Sequence, residues 1–284
     1  THDHLPGVYG NEATHEAVIE SYRAYDAACP DVFIMLYWGY RSPWWLLHGD
    51  TMFETGVEME AASPGHMPAL HVRDGVTRKL DQGHLFARDV PWLGTDSLGV
   101  WLSQWGGWNS GIGPERWQEG FVMDICRGPA LAQIWADPDW LTPPERRQVH
   151  EFIALMKAQP ACFTNARLIL GDPWKAEPYG YSCSDGRRAF LAINNGTWED
   201  RTVTLDLSPA WGLGSDGAWN IYRWYPNPAR LVGGATRMAM RPFEVVLLEI
   251  VPRGEAPSLS RAFRDEPIPA GFAEASCPVP VQVG

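Results

Sequence analysis

DVFIMLYWGYRSPWWLLHGDTMFETGVEME, residues 31–60, is the stretch whose reading decides the fold. Residues 32–38 are apolar throughout and do not alternate with polar ones, a pattern that predicts a strand buried on both faces, as in a parallel sheet. An aromatic loop follows at 39–45, and Thr51-Met52-Phe53 opens a second strand that runs into Glu54, Glu58 and Glu60. Parallel α/β architectures place their sites at the C-terminal ends of the strands. On that rule Tyr37, Trp38, Arg41, Trp44 and Trp45 line one rim, with Glu54 and Glu58 on the next and Asp50 just ahead of the second strand.

Outward from this segment the same alternation of strand, loop and helix continues. Val18, Ile19, Tyr22 and Tyr25 form an apolar stripe that predicts a helix over 11–29, stopped by Pro30. Helical character returns at 71–86, and 97–102 reads as a third strand followed by a second aromatic loop with Trp105 and Trp108. The pattern at 116–125 leaves helix and strand open. Residues 142–159 carry the clearest helix signal: Thr142 at the N-cap, Pro143 at the first position, Glu145 completing a capping box, and Val149, Phe152, Ile153 and Met156 on one face. After Gly171-Asp172-Pro173 the texture changes to short runs at 189–194, 201–207, 218–225, 236–240 and 243–251, separated by turn residues. That is the pattern of an antiparallel β-sandwich. The expected division is therefore 1–172 as a βα part, 173–252 as the sandwich and 253–284 as a Pro-rich tail or a linker to a further domain. A closed (β/α)₈ barrel takes about 250 residues, so the first part is expected to be either a small open sheet or a partial barrel whose N-terminal strands are missing from the chain.

The composition narrows the function. The chain has 284 residues, 15 of them Trp, and a net charge of -11, which argues against nucleic-acid and anionic-membrane surfaces. No run approaches the ~20 apolar residues of a spanning helix, so a soluble chain is expected. The five Cys have no paired spacing and read as buried free thiols. Trp rings clustered in loops suit the apolar faces of sugar rings, or equally a Trp-rich core.

Hydrolysis of a glycoside needs two carboxyl groups, one to protonate the leaving oxygen and one to attack the anomeric carbon or activate water. Acids beside aromatic rings suit that task, because partial desolvation raises a carboxyl pKa toward neutrality. The same acids would also suit the first turn of a helix. Trp101 and Trp105 could wall the same cleft, and Arg127 either meets sugar hydroxyls or forms an ion pair within the fold. Asp96 reads as structural. His2-Asp3-His4 has the form of a metal-hydrolase motif but follows no strand, and no phosphate loop or nucleophile elbow occurs. Asn195-Gly196-Thr197 fits a glycosylation sequon and, equally, a turn between strands.

Residues 31–60 resemble the fifth-to-sixth strand region of melibiase-type α-galactosidases and related retaining α-glycosidases. RGPALAQIWADPDWLTPPERRQVHEFIALMKAQP, residues 127–160, resembles their last barrel segment. GYSCSDGRRAFLAINN at 180–195 and RPFEVVLLEIVP at 241–252 resemble their closing β-sandwich. The resemblance implies a (β/α)₈ barrel that cleaves α-linked galactose or a related sugar with retention and without metal or cofactor. Aligning Phe53 with the aromatic of the family's sixth strand makes Glu58 the acid/base, where the family usually has Asp. Glu is one methylene longer, so the backbone has to stand further off, and Glu54 and Asp50 stay in contention. The family's nucleophile, an Asp on an earlier strand, falls ahead of Thr1, which implies strands five to eight plus the sandwich, with the missing N-terminal part as a partner. The other reading is a non-catalytic carbohydrate-binding protein that uses the Trp-rich loops.

Overall fold

The computed structural model describes residues 7–36, 43–54, 95–97, 100–102, 117–127, 134–136, 139, 141–164, 166–215, 217–233 and 236–269. Helix α1, Gly7–Ala28, starts earlier than its apolar stripe predicts. It lays Val18, Ile19 and Tyr22 against Leu36 and Trp45. β1 (Met35–Leu36), β2 (Thr51–Glu54) and β3 (Thr95–Ser97) pair side by side, all parallel. β4 (Val100–Leu102) pairs with β5 (Ile134–Ala136), also in parallel. The parallel character expected of this half is thus present. The strand expected at 97–102 falls into two pieces in separate sheets. The run at 32–38 is a strand at only two described residues; Leu36 is buried while Phe33 is exposed, so burial on both faces does not extend along it. The helix predicted at 71–86 lies outside the described residues.

The undecided segment is a helix, α2, Trp117–Ile125. Residues Phe121 to Arg127 are all buried. A helix buried along most of its length has little polar face, so its apolar residues show no clear 3.6-residue period. Helix α3, Pro143–Ala158, starts where its capping signals say. The Glu145 carboxylate accepts from the Thr142 backbone N–H at 2.8 Å and from the Thr142 hydroxyl at 2.7 Å. This satisfies a donor that the first helical turn would otherwise leave unpaired. Phe152 and Leu155 are the fully buried residues of its inner face, and a short helix α4, Pro160–Phe163, follows.

The second half is dominated by one large sheet. Its order is β14 (Arg264–Pro267), β11 (Ala229–Val232), β10 (Trp219–Tyr225), β13 (Val245–Pro252), β8 (Ala189–Asn194), β7 (Tyr179–Ser184) and β6 (Ala166–Leu170). Neighbours are antiparallel except β11 and β14. The expected limits at 172 and 252 both need correction. Residues 166–170 already form an edge strand of this sheet, so Gly171-Asp172-Pro173 belongs to the connection between β6 and β7. Beyond 252 the chain returns as β14, so the segment begins as part of the fold and not as a free tail.

Strand periodicity splits the inner residues between two cores. Phe190, Ala192, Val245 and Leu247 face α2, α3 and α4. Leu191, Ile193, Val246, Leu248 and Ile250 face the other way, under the antiparallel pair β9 (Arg201–Thr204) and β12 (Arg237–Met240), which contribute Val203, Met238 and Met240. Asn195 closes the turn after β8. Its Nδ2 donates to the carbonyls of Glu199 at 2.9 Å and Arg241 at 2.8 Å, and its Oδ1 accepts from the Thr197 hydroxyl at 2.8 Å. Buried and fully engaged, that amide is unavailable for glycosylation, so the sequon is a turn.

One charge sits inside this sheet. Glu249, on the central strand β13, has no exposed surface. Its carboxylate accepts from the Trp224 indole N–H at 2.8 Å, from the Ser258 backbone N–H at 2.9 Å, from the Ser258 hydroxyl at 2.5 Å and from the Arg188 guanidinium. Removing one partner of such a buried pair typically costs about 3–5 kcal/mol, because the other charge stays behind uncompensated. Glu249→Leu should lower unfolding free energy in urea by that order. Glu249→Gln keeps the volume and an acceptor but leaves Arg188 equally uncompensated, so it should lose nearly as much; a distinctly smaller loss would show that hydrogen bonding and not charge is what matters here.

The thiols divide as burial dictates. Cys126, Cys162 and Cys183 are buried and Cys29 is exposed. Burial first, and the Asp185 carboxylate second, push the Cys162 thiol up to about 12. Only the thiolate is reactive. With Cys277 replaced by Ser, a thiol reagent at pH 8 should label Cys29 quickly and the other three only after denaturant is added. Fast labelling of Cys162 in the folded chain would contradict its placement.

Candidate active site at the ends of the parallel strands

Parallel pairing gives β1, β2 and β3 a common polarity, so their C-terminal ends open on one edge of that sheet; β4 and β5 form a separate parallel pair. Leu36 pairs with Met52, and Glu54, the last residue of β2, pairs with Ser97 at the end of β3. Glu54 therefore stands on the rim where such folds place their chemistry. Tyr37, Trp38, Arg41, Glu58 and Trp105 lie outside the described residues. Trp101 is the middle residue of β4, in register with Trp135.

Asp50 occupies the opposite edge. Its Oδ2 accepts from the Ile34 backbone N–H at 2.7 Å, and its own N–H donates to the Ile34 carbonyl at 2.9 Å. Residues 34 and 50 immediately precede the paired positions Met35 and Thr51. The carboxylate thus fastens the two chains together where they enter the sheet. It is a strand-entry clamp at the N-terminal edge, the wrong edge for an acid catalyst.

The two Trp of the short 3₁₀ turn Pro43–Leu47 also part company. Trp45 is only 5% exposed and packs against Leu36, with the His15 ring edge-on at 5.1 Å. It is a core residue between α1 and β1, which corrects its reading as a sugar contact. Trp44 is 46% exposed and meets the His48 ring at 4.7 Å. Arg127 is buried at the end of α2, where its Nη1 pairs with Asp124 Oδ1 at 3.0 Å, so the ion-pair alternative is the one found. Sequence reasoning missed the Glu249 cluster, although a Glu inside the run Val245–Pro252 was a visible signal.

No family model matches the sequence, and no curated protein matches it significantly. Solved structures do match in fold. α-Galactosidase I from Mortierella vinacea superposes with a TM-score of 0.51 at 12% identity, over 84% of this chain and 64% of its own. The GH36 α-galactosidase AgaA from Geobacillus stearothermophilus, in complex with raffinose, gives 0.52 at 12%, over 87% of this chain and 33% of its own. AmyP in complex with maltose gives 0.52 at 14%, over 85% and 63%. The chain therefore spans between a third and two thirds of the length of these structures. At such identities the likeness is one of fold: a mixed α/β architecture, dominated by a large antiparallel sheet, that is shared with glycoside hydrolases. No helix among the described residues is long and apolar enough to cross a membrane.

If Asp50 is a clamp, Asp50→Ala should destabilise the chain by about 1 kcal/mol, the usual net worth of one hydrogen bond. An unchanged urea midpoint in Asp50→Ala would show that this contact does not hold the two strands together.

Proposed function

We propose that the chain forms part of a glycoside hydrolase acting on α-linked galactose or a related sugar with retention of configuration. Glu54 at the C-terminal edge of β2, within a fold shared with glycosidases, is the observation that carries this reading. The strands β1 to β5 represent part of a (β/α)₈ barrel, and the large sheet with β9 and β12 represents its closing β-sandwich. Glu58, four residues past Glu54, is the acid/base, with Glu54 as the remaining contender. Trp38, Arg41, Trp44, Trp101 and Trp105 shape the sugar subsite.

The chemistry then runs in two steps. The carboxylic acid protonates the leaving glycosidic oxygen while a second carboxylate attacks the anomeric carbon and forms a glycosyl ester. The first group, now a carboxylate, takes a proton from water as that water breaks the ester. Retention places the two carboxyl groups about 5–5.5 Å apart. The partner of Glu58 is assigned to an element outside the described residues. Aromatic walls assist by excluding water, which keeps the acid protonated at neutral pH.

With an aryl α-galactoside as substrate, Glu58→Gln in a form of the protein that has activity should reduce turnover by about 10²–10⁴-fold, the usual contribution of a general acid. Glu54→Gln should have a much smaller effect. The reverse order transfers the role to Glu54. Saccharide binding without turnover, under conditions where the wild-type chain is folded, would favour the non-catalytic carbohydrate-binding reading.

A further inference from the structure

We infer that the large sheet carries a saccharide-binding cleft of its own, away from the parallel strands, at the end where β10 and β11 meet the chain leaving β13. The cleft has a volume of about 760 Å³ and is lined by Trp219, Asn220, Arg230, Thr236, Arg253 and Glu255, among others. That volume lies inside the range of about 300–1,000 Å³ typical of ligand pockets.

Its chemistry matches a sugar. Trp219 is half-buried, and its indole lies across Gly217 so closely that a Cβ there would fall 2.0 Å from Cζ2. Only glycine permits that contact, and the ring, packed also against the core beneath β9 and β12, is held as part of the cleft wall. An indole held by packing brings apolar surface to the cleft without further loss of rotamer freedom. Polar groups stand beside it. Glu255 is held by Arg187 and Arg188, so it is oriented before any ligand arrives, and Arg230 stands 3.8 Å from Asp265. Arg253 is exposed and, among the described residues, has no ion-pair partner, although the chain carries a net charge of -11. Its guanidinium and the Asn220 amide supply donors, and Glu255 supplies acceptors, for ring hydroxyls. Gly254, next to Arg253, has φ +96 and open space where a side chain would stand, so the mouth is unobstructed. A flat apolar platform bordered by both donors and acceptors is what a pyranose, apolar on its faces and hydroxylated at its rim, requires.

This site does not depend on the proposed hydrolysis, because it uses no catalytic carboxylate. The test is hydrogen–deuterium exchange and calorimetry on the whole chain carrying Glu58→Gln, with raffinose, maltose and trigalacturonate as separate probes at millimolar concentration. At least one saccharide should protect residues 217–222 and 252–256, with trigalacturonate separating an acidic ligand from a neutral one. Trp219→Ala and Arg253→Ala should each weaken that protection about tenfold or more; Arg253→Ala, at an exposed position, should leave the urea midpoint close to its original value, while Trp219→Ala lowers it because that ring also packs on the core. Should Trp219→Ala fail to fold, the exposed Arg253→Ala decides alone. Absence of protection with all three sugars overturns the inference, as does full protection in a folded Arg253→Ala chain. Protection elsewhere, at the parallel-strand rim, bears only on the proposed active site.

Discussion

A carboxylate held inside an apolar sheet constrains this fold more than any other contact. β13 is buried on both faces, and Glu249 interrupts its apolar sequence at a point with no access to water. An ion in such a place survives only if its lone pairs are met by well-aimed donors. Those donors come from separate parts of the chain: Arg188 just before β8, Trp224 on β10 and Ser258 on the segment that leads to β14. The ion therefore specifies which strands lie beside β13 and where the chain must go after it. Arg188 in turn reaches Glu255, which also binds Arg187, so the charge pattern extends to the surface. Burying apolar side chains alone would not distinguish this strand order from others of equal apolar area.

That sheet also positions the rest. Its Phe190 and Leu247 face forms one core with α2 and α3. α2 makes contact with β8 and β13 on one side and with β4 on the other. β4 thus meets the antiparallel sheet through a helix that is mostly buried. Cys183 Sγ donates to the Cys126 carbonyl at 2.8 Å, tying the end of α2 directly to β7.

How much of this was legible follows from how local each signal is. The helix at 143–158 was readable because its cap, its Pro and its Glu lie within four residues of one another. Parallel pairing was readable from the apolar run at 32–38, though not the short length of the strand. α2 was illegible as a helix because burial along most of its length erases amphipathic period. β6 was hidden by the turn that follows it, since Gly171-Asp172-Pro173 serves a hairpin and a domain limit equally well. β14 has the sequence Arg264-Asp265-Glu266-Pro267, with no β-branched or aromatic residue; its pairing with β11 is reinforced by Arg223–Glu266 at 2.5 Å and Arg230–Asp265 at 3.8 Å, contacts that no local window contains. Among the site candidates, adjacent Trp44 and Trp45 are alike in sequence. Which of them faces the core is decided by α1, nearly thirty residues upstream in its contacts at Val18 and Ile19.

The same geometry limits how the acids of the second strand can be used. Asp50 and Glu54 are four positions apart on an extended chain that rises about 3.3 Å per residue, hence about 13 Å apart along the strand. Retaining chemistry needs about 5–5.5 Å between carboxyl groups and inverting chemistry about 6.5–9.5 Å. These two cannot act on one bond, which agrees with Asp50 being spent on the Ile34 N–H at the other edge. A catalytic pair that includes an acid from this strand must therefore draw its second member from a different strand end. Along this one strand Asp50 holds the entry, where it meets the Ile34 N–H, while Glu54 ends the pairing opposite Ser97, and parallel pairing itself keeps the two at opposite edges.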